Sequence, residues 1–163
     1  MSITSMISVI ASEGKSDDVF RALDEDMISR VGVKVFSCST FDLATKKSAR
    51  IFTNRPDIYP VSGVKEIITN IWTRTVLDAH ETFVANTIEE LDAVFPDGAL
   101  IASIGCGSVV NLPVVCGTRF LGTVNFLNAP GHYSADKVAI IEDMTWAAQL
   151  AFLMHSYETT LTV

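Results

Sequence analysis

Two apolar runs, residues 108–116 and 119–127, are separated only by Gly117-Thr118. A two-residue connection joins antiparallel neighbours and favours turns with positive φ, so the segment reads as a β-hairpin. A chain organised around it must carry an antiparallel sheet. Thr118 suits positive φ poorly, which implies local strain or a variant turn. Alternation counted from that turn puts Val109, Asn111, Pro113 and Val115 on one face with Phe120, Gly122, Val124 and Phe126. Asn111 is then the odd polar member of an apolar face. A buried amide without partners costs roughly 1–3 kcal/mol, so it either bonds loop backbone or reaches a ligand. Thr123 and Asn125 fall on the opposite face and pose the same question more weakly.

The rest of the chain supplies helices and further strands. Ile3, Met6, Ile7 and Ile10 recur at helical spacing, and Gly14 interrupts that first helix. Ser16 stands at an N-cap position, with Asp17 and Asp18 placed to favour the positive end of a second helix that Gly32 closes. From residue 33 the period becomes two: strands over 33–41 and 49–53 flank a polar turn at 42–48. Pro56, Pro60 and Gly63 keep 54–63 irregular. Ile68, Ile71, Trp72 and Thr75 predict a helix over 64–77, and a short extended piece follows at 83–85. Thr87 and Glu90 form a capping box for a brief helix. Residues 100–104 read as a strand broken at Gly105-Cys106-Gly107.

Ser134 is placed to cap a last helix reaching about residue 157. This helix is apolar on three flanks. Ile140, Met144, Ala147, Ala151 and Met154 form one stripe; Trp146, Leu150, Leu153 and Tyr157 form a second; Ile141, Ala148 and Phe152 form a third. Covering one face of a small sheet needs a single stripe. The surplus implies a second burial partner: the N-terminal helix, a second copy of the chain, or both.

With 163 residues, 48% of them hydrophobic, the chain is sized for one domain spanning 1–163. A net charge of -7 argues against a basic surface for nucleic acid or anionic membranes. No apolar run reaches the ~18 residues of a membrane span, and the N-terminal stretch lacks the basic residues of a signal peptide. The three cysteines, Cys38, Cys106 and Cys116, have no CxxC spacing, which fits a reducing cytoplasm. His80, His132 and His155 lack metal-ligand spacing. No P-loop, GxSxG, HExxH or dinucleotide fingerprint is present, so no catalytic residue or cofactor is assigned.

The element order, together with Ser108-Val109-Val110-Asn111-Leu112-Pro113-Val114-Val115 and Leu121-Gly122-Thr123-Val124-Asn125-Phe126, resembles the GAF domain. Tyr133-Ser134-Ala135-Asp136 and Ala147-Ala148-Gln149-Leu150-Ala151 are similar to that family's closing helix. The segments Arg50-Ile51-Phe52-Thr53-Asn54-Arg55-Pro56 and Tyr59-Pro60-Val61-Ser62-Gly63-Val64-Lys65 resemble a subgroup of stand-alone bacterial GAF proteins. The resemblance implies an α/β (α+β) fold, with an antiparallel sheet, terminal helices (1–14 and 135–157) on one face and a loop-and-helix-covered pocket on the other. It implies a sensory, regulatory module binding a small molecule. Such a module would signal through dimerisation by its terminal helices or through a separate partner.

Within that frame the candidate ligand-binding residues are Arg50, Tyr59, Lys65, Trp72 and Asn111. Guanidinium, ammonium, phenol and indole suit a small anionic or aromatic metabolite; as a bland alternative, Tyr59 and Trp72 are core aromatics and the charges sit in water. Arg55 belongs to the same stretch. The asparagine-containing pattern of cyclic-nucleotide-binding relatives and the Cys-His pair of bilin attachment are both absent. Cys106, between two glycines, is the candidate for a redox role like that of free methionine-R-sulfoxide reductases, which are GAF enzymes. Those enzymes place cysteines in the central loop–helix region, where this chain has none. The alternative for Cys106 is a small residue filling a tight bend.

Overall fold

The computed structural model describes residues 2–12, 14–61 and 63–161. The expected first helix over 1–14 includes residues 1 and 13, which lie outside these. Strands β1 (Val35–Asp42), β2 (Lys47–Thr53), β3 (Val64–Glu66), β4 (Phe83–Ala85), β5 (Ser108–Cys116) and β6 (Arg119–Asn128) form one antiparallel sheet in the order β3-β2-β1-β6-β5-β4. Helices α1 (Ile3–Ser12), α2 (Ser16–Arg30), α6 (Ala135–Asp143) and α7 (Thr145–Leu161) join the core on one face of the sheet. The other face lies under the loop residues 54–61 and Gly63, the short helix α3 (Ile71–Thr73), α4 (Ile88–Asp92) and α5 (Gly98–Ser103).

Each strand's alternation feeds two cores. Phe36, Cys38, Val110, Leu112, Val114, Val124 and Phe126 meet Phe20, Leu23, Ala148 and Phe152 on the helical side. Val35, Val109 and Leu127 meet Tyr59, Leu91, Ile101 and Cys106 on the other.

The β5–β6 hairpin corrects the count made from its turn. Cys116 pairs with Arg119 and Val115 with Phe120, but a bulge shifts the register so that Val114 pairs with Gly122 and Asn111 with Asn125. Leu121 is the extra residue. An inserted residue turns everything beyond it to the other face. Thr123 and Asn125 therefore share the face of Asn111, while Val124 and Phe126 enter the helical core. Gly122 is required there, because a Cβ would collide with Ser39 O of β1 and the ring of Phe152 on α7.

Other boundaries differ for identifiable reasons. Residues 100–104 are not a strand: the run lies in α5 and at its C-cap. Only Ile101 of α5's larger side chains is buried, and β4 already occupies the adjacent sheet edge. Gly105 (φ +71°) closes α5 in a Schellman motif, with Cys106 N donating to Ile101 O and Gly105 N to Ala102 O. The helix expected over 64–77 is mostly something else: β3 pairs with β2, and helix starts only at Ile71, where Asn70 and Thr73 make a capping box. It continues as a π-helical turn, Arg74–Asp78. Ile68 and Ile71 are exposed and were no core stripe.

Ser16 does not cap α2. Its N–H and hydroxyl both donate to the Glu158 carboxylate of α7, at 2.8 and 2.6 Å. The closing helix is split at Met144, where the Thr145 hydroxyl takes the Glu142 carbonyl at 2.6 Å and competes with the helical ladder. Thr87 and Glu90 do form their capping box. No helix among the described residues is long and apolar enough to cross a membrane.

Candidate functional site

Between the sheet and its cover lies a cavity of about 180 Å3. Its floor is built row by row from the register. Asn111, Asn125 and Ser37 lie side by side on β5, β6 and β1; the next row holds Thr123, Ser39 and Arg50. The walls are aromatic. Trp72 lies 5.9 Å from Phe41 and 6.2 Å from Phe95, centroid to centroid.

The floor's amides are oriented by one donor. The indole Nε1–H of Trp72 can only donate, and it donates to Asn111 Oδ1 at 2.9 Å. The Asn111 amide nitrogen must then face Asn125, and donates to its Oδ1 at 2.7 Å. Asn125 Nδ2 in turn faces Ser37 O at 3.3 Å and the hydroxyls of Ser37 and Ser39 at 3.4 Å.

Arg50 comes up from β2. Its Nη1 donates to Pro60 O at 3.1 Å, and its guanidinium sits 4.8 Å from the Tyr59 ring centroid. Its Nε is buried without a partner, as are Tyr59 Oη and Thr123 Oγ1 on the same cavity. A fourth such atom, Tyr133 Oη, belongs to the helical core. Burial lowers the Arg50 pKa, opposed by the fields of Tyr59 and Asp97. Tyr59 is pushed up to about 12, first by burial and then by Asp97, against the pull of Arg50.

All five candidate residues line this cavity: Arg50, Tyr59, Trp72 and Asn111 as above, and Lys65 from β3, paired with Asp97 Oδ2 at 2.7 Å. Arg55 does not; its guanidinium is taken by Asp57 in two bonds of 3.0 and 2.9 Å. Sequence reasoning missed Asp97, Ser37 and Ser39, and raised Thr123 and Asn125 only weakly, on the face opposite Asn111, where the bulge shows them to share its face. Gly122 was the available signal for the last two, since glycine inside a strand marks a bulge or a close backbone approach.

Cys106 is buried against the second core. Burial pushes its thiol up, opposed by Lys34 and Arg55, whereas a reactive thiolate needs a lowered pKa. Cys106 follows α5 just before β5 and Cys116 ends that strand, which spans roughly 26 Å at strand rise. The histidines stand apart: His80 stacks on Phe120, His132 meets the carbonyls of Val31 and Gly32, and His155 lies beside Ser16.

No protein-family model and no curated protein matches the chain in sequence. Solved structures do match in shape. The GAF domain of a phosphoenolpyruvate-protein phosphotransferase from Acinetobacter superposes with a TM-score of 0.71 at 14% identity, covering 98% of this chain and 94% of that one. The GAF domain of a two-component sensor histidine kinase from Bacillus halodurans gives 0.68 at 12%, covering 88% and 97%. The GAF domain of PixJ from Thermosynechococcus elongatus, in its blue-light absorbing form, gives 0.64 at 10%, covering 90% of each. With the sheet order, the helical layer and the covered cavity, these matches establish that the chain has the GAF-domain fold.

Proposed function

We propose that the protein is a cytoplasmic sensory module that takes a small molecule into the cavity and reports its occupancy by association. One observation carries this reading. Three polar atoms, on Arg50, Tyr59 and Thr123, are buried around one cavity with no protein partner. Buried donors left unmade are costly, and a fold that keeps three together gains from a molecule that satisfies them. Neighbours of this shape include the domain of a sensor kinase and a light-absorbing domain, which supports a sensing role.

The output surface we assign is α7. Its second apolar stripe stays uncovered: Trp146 is 36% exposed, Leu153 39% and Tyr157 66%. Leu150, half-buried against the helical core, lies between them, and the spacing is that of a two-helix seam. The occupant is a second copy of the chain. Ile3 and Ile7 of α1 are exposed apolar residues as well.

A thermal-shift screen against a panel of small metabolites tests the first half. A hit abolished by Arg50→Gln supports the cavity, and silence across the panel points to a vestigial pocket. Sedimentation tests the second. A dimer is expected, and Trp146→Glu with Leu150→Glu should yield monomers; a dimer indifferent to both changes rules out this interface.

A further inference from the structure

We infer that the cavity selects a planar monocarboxylate, its carboxylate facing Arg50 and the floor's free donors and its ring against Trp72, Phe41 and Phe95. This rests on the cavity being a ligand site, as proposed above, and goes on to the chemistry that would fill it.

The floor has a surplus of one kind of hydrogen-bonding group. Because the chain from Trp72 runs one way, the amide oxygens of Asn111 and Asn125 both face inward along it. What is left over is the second N–H of Asn111 and the hydroxyl hydrogens of Ser37 and Ser39, which already accept from Asn125. Arg50 Nε–H, Tyr59 Oη–H and Thr123 Oγ1–H add three more. The hydroxyls can accept as well, but the Arg50 Nε–H and the second Asn111 N–H can only donate, so a molecule fitting this floor must bring acceptors.

Charge narrows the choice. Four ionisable groups besides Tyr59 line the cavity: Arg50, Lys65, Glu66 and Asp97. Lys65 and Asp97 neutralise one another at 2.7 Å. Glu66 stands exposed on β3, where water screens it. Arg50 alone is half-buried with no salt bridge among the described residues, held in place by Tyr59 and Pro60 O. The field of Asp97 reaches Arg50, but that carboxylate is bonded to Lys65, so the partly desolvated guanidinium has no carboxylate of its own and its forked donors fit one. Trp72, with Phe41 and Phe95 packed against it, gives the remainder of the molecule an aromatic wall.

The probes are benzoate, the neutral isostere benzamide and the non-planar cyclohexanecarboxylate. They are titrated into protein carrying Trp146→Phe, so that Trp72 is the remaining tryptophan and its fluorescence reports the cavity. Benzoate should bind roughly tenfold or more tightly than either control. Arg50→Gln should abolish the difference between benzoate and benzamide. Thr123→Val, which removes an unpartnered buried hydroxyl, should raise the thermal midpoint without probe while weakening benzoate. Benzamide binding as tightly as benzoate overturns the charge assignment while leaving the cavity a ligand site. Cyclohexanecarboxylate binding equally overturns the planar half. No response of Trp72 to any of the three overturns the inference, and a silent metabolite panel would then take the ligand reading with it.

Discussion

Trp72 Nε1 donates to Asn111 Oδ1 across 2.9 Å, tying the cover of the cavity to its floor. The bond fixes the sense of every amide beyond it, so its loss should be felt at both ends. Asn111→Leu leaves the indole N–H and Asn125 Oδ1 without their partner and should lower unfolding free energy by about 1–3 kcal/mol. Urea denaturation measures this, and Trp72 emission should show a more mobile indole. An unchanged midpoint would mean that water replaces Asn111 at no cost.

Asp24 gives the protein a pH dependence unrelated to the cavity. It is buried on α2 and accepts from Asn54 Nδ2 at 3.0 Å, and burial, against that bond, raises its pKa from 3.8 to about 6. The folded state therefore holds a proton that the unfolded state has released between about pH 4 and 6, and stability contributed by the neutral acid is lost as pH rises through that window. Asp24→Asn keeps an acceptor for Asn54 without the charge. It should be more stable than the parent at pH 7 by about 1 kcal/mol and equal to it near pH 3.5. Parallel pH profiles for the two proteins would exclude Asp24 as the source.

Gly122 sits where β1, β6 and α7 converge. Gly122→Ala forces a methyl group into Ser39 O and the Phe152 ring, so a loss of about 1–3 kcal/mol is expected, read from the thermal midpoint. Gly117→Ala is the control for the same change at the open hairpin tip, where a Cβ meets nothing within 4 Å. Its cost should be limited to its positive φ, about 1 kcal/mol.

Thiol titration separates a core cysteine from a working one. Cys38 and Cys106 are buried and Cys116 is half-buried. Ellman's reagent should titrate Cys116 first in the native protein, and the other two only on unfolding. Rapid modification at Cys106 would revive its redox candidacy and justify a methionine sulfoxide reduction assay.

Much of this architecture is legible in the sequence, because hairpins, caps and apolar stripes are local. Gly117-Thr118 fixes the β5–β6 turn, Thr87 and Glu90 their cap, and Gly14 and Gly32 the ends of helices. The cavity's floor was not legible, since its identity depends on a single extra residue. Counting outward from the turn is right as far as Val115 and Phe120 and wrong beyond Leu121. Residues 100–104 failed for another reason: a short apolar run fits strand or helix equally, and the choice was made by a sheet edge already filled by β4. Arg50, Tyr59, Lys65, Trp72 and Asn111 could be gathered because side-chain chemistry survives such errors. Asp97 could not, because nothing local links it to Lys65 thirty-two positions earlier.

The bulge at Leu121 also divides the hairpin into a stretch whose length can drift and one whose length is locked. Residues added or removed at the tip, outside Cys116 and Arg119, leave every inward and outward assignment intact. Deleting Leu121 itself would swap the two sides of β6 beyond it, driving Asn125 and Thr123 among the phenylalanines and Val124 and Phe126 into the hollow. Homologous chains should therefore tolerate insertions at the hairpin's end while keeping the number of residues from Arg119 to Asn125 constant.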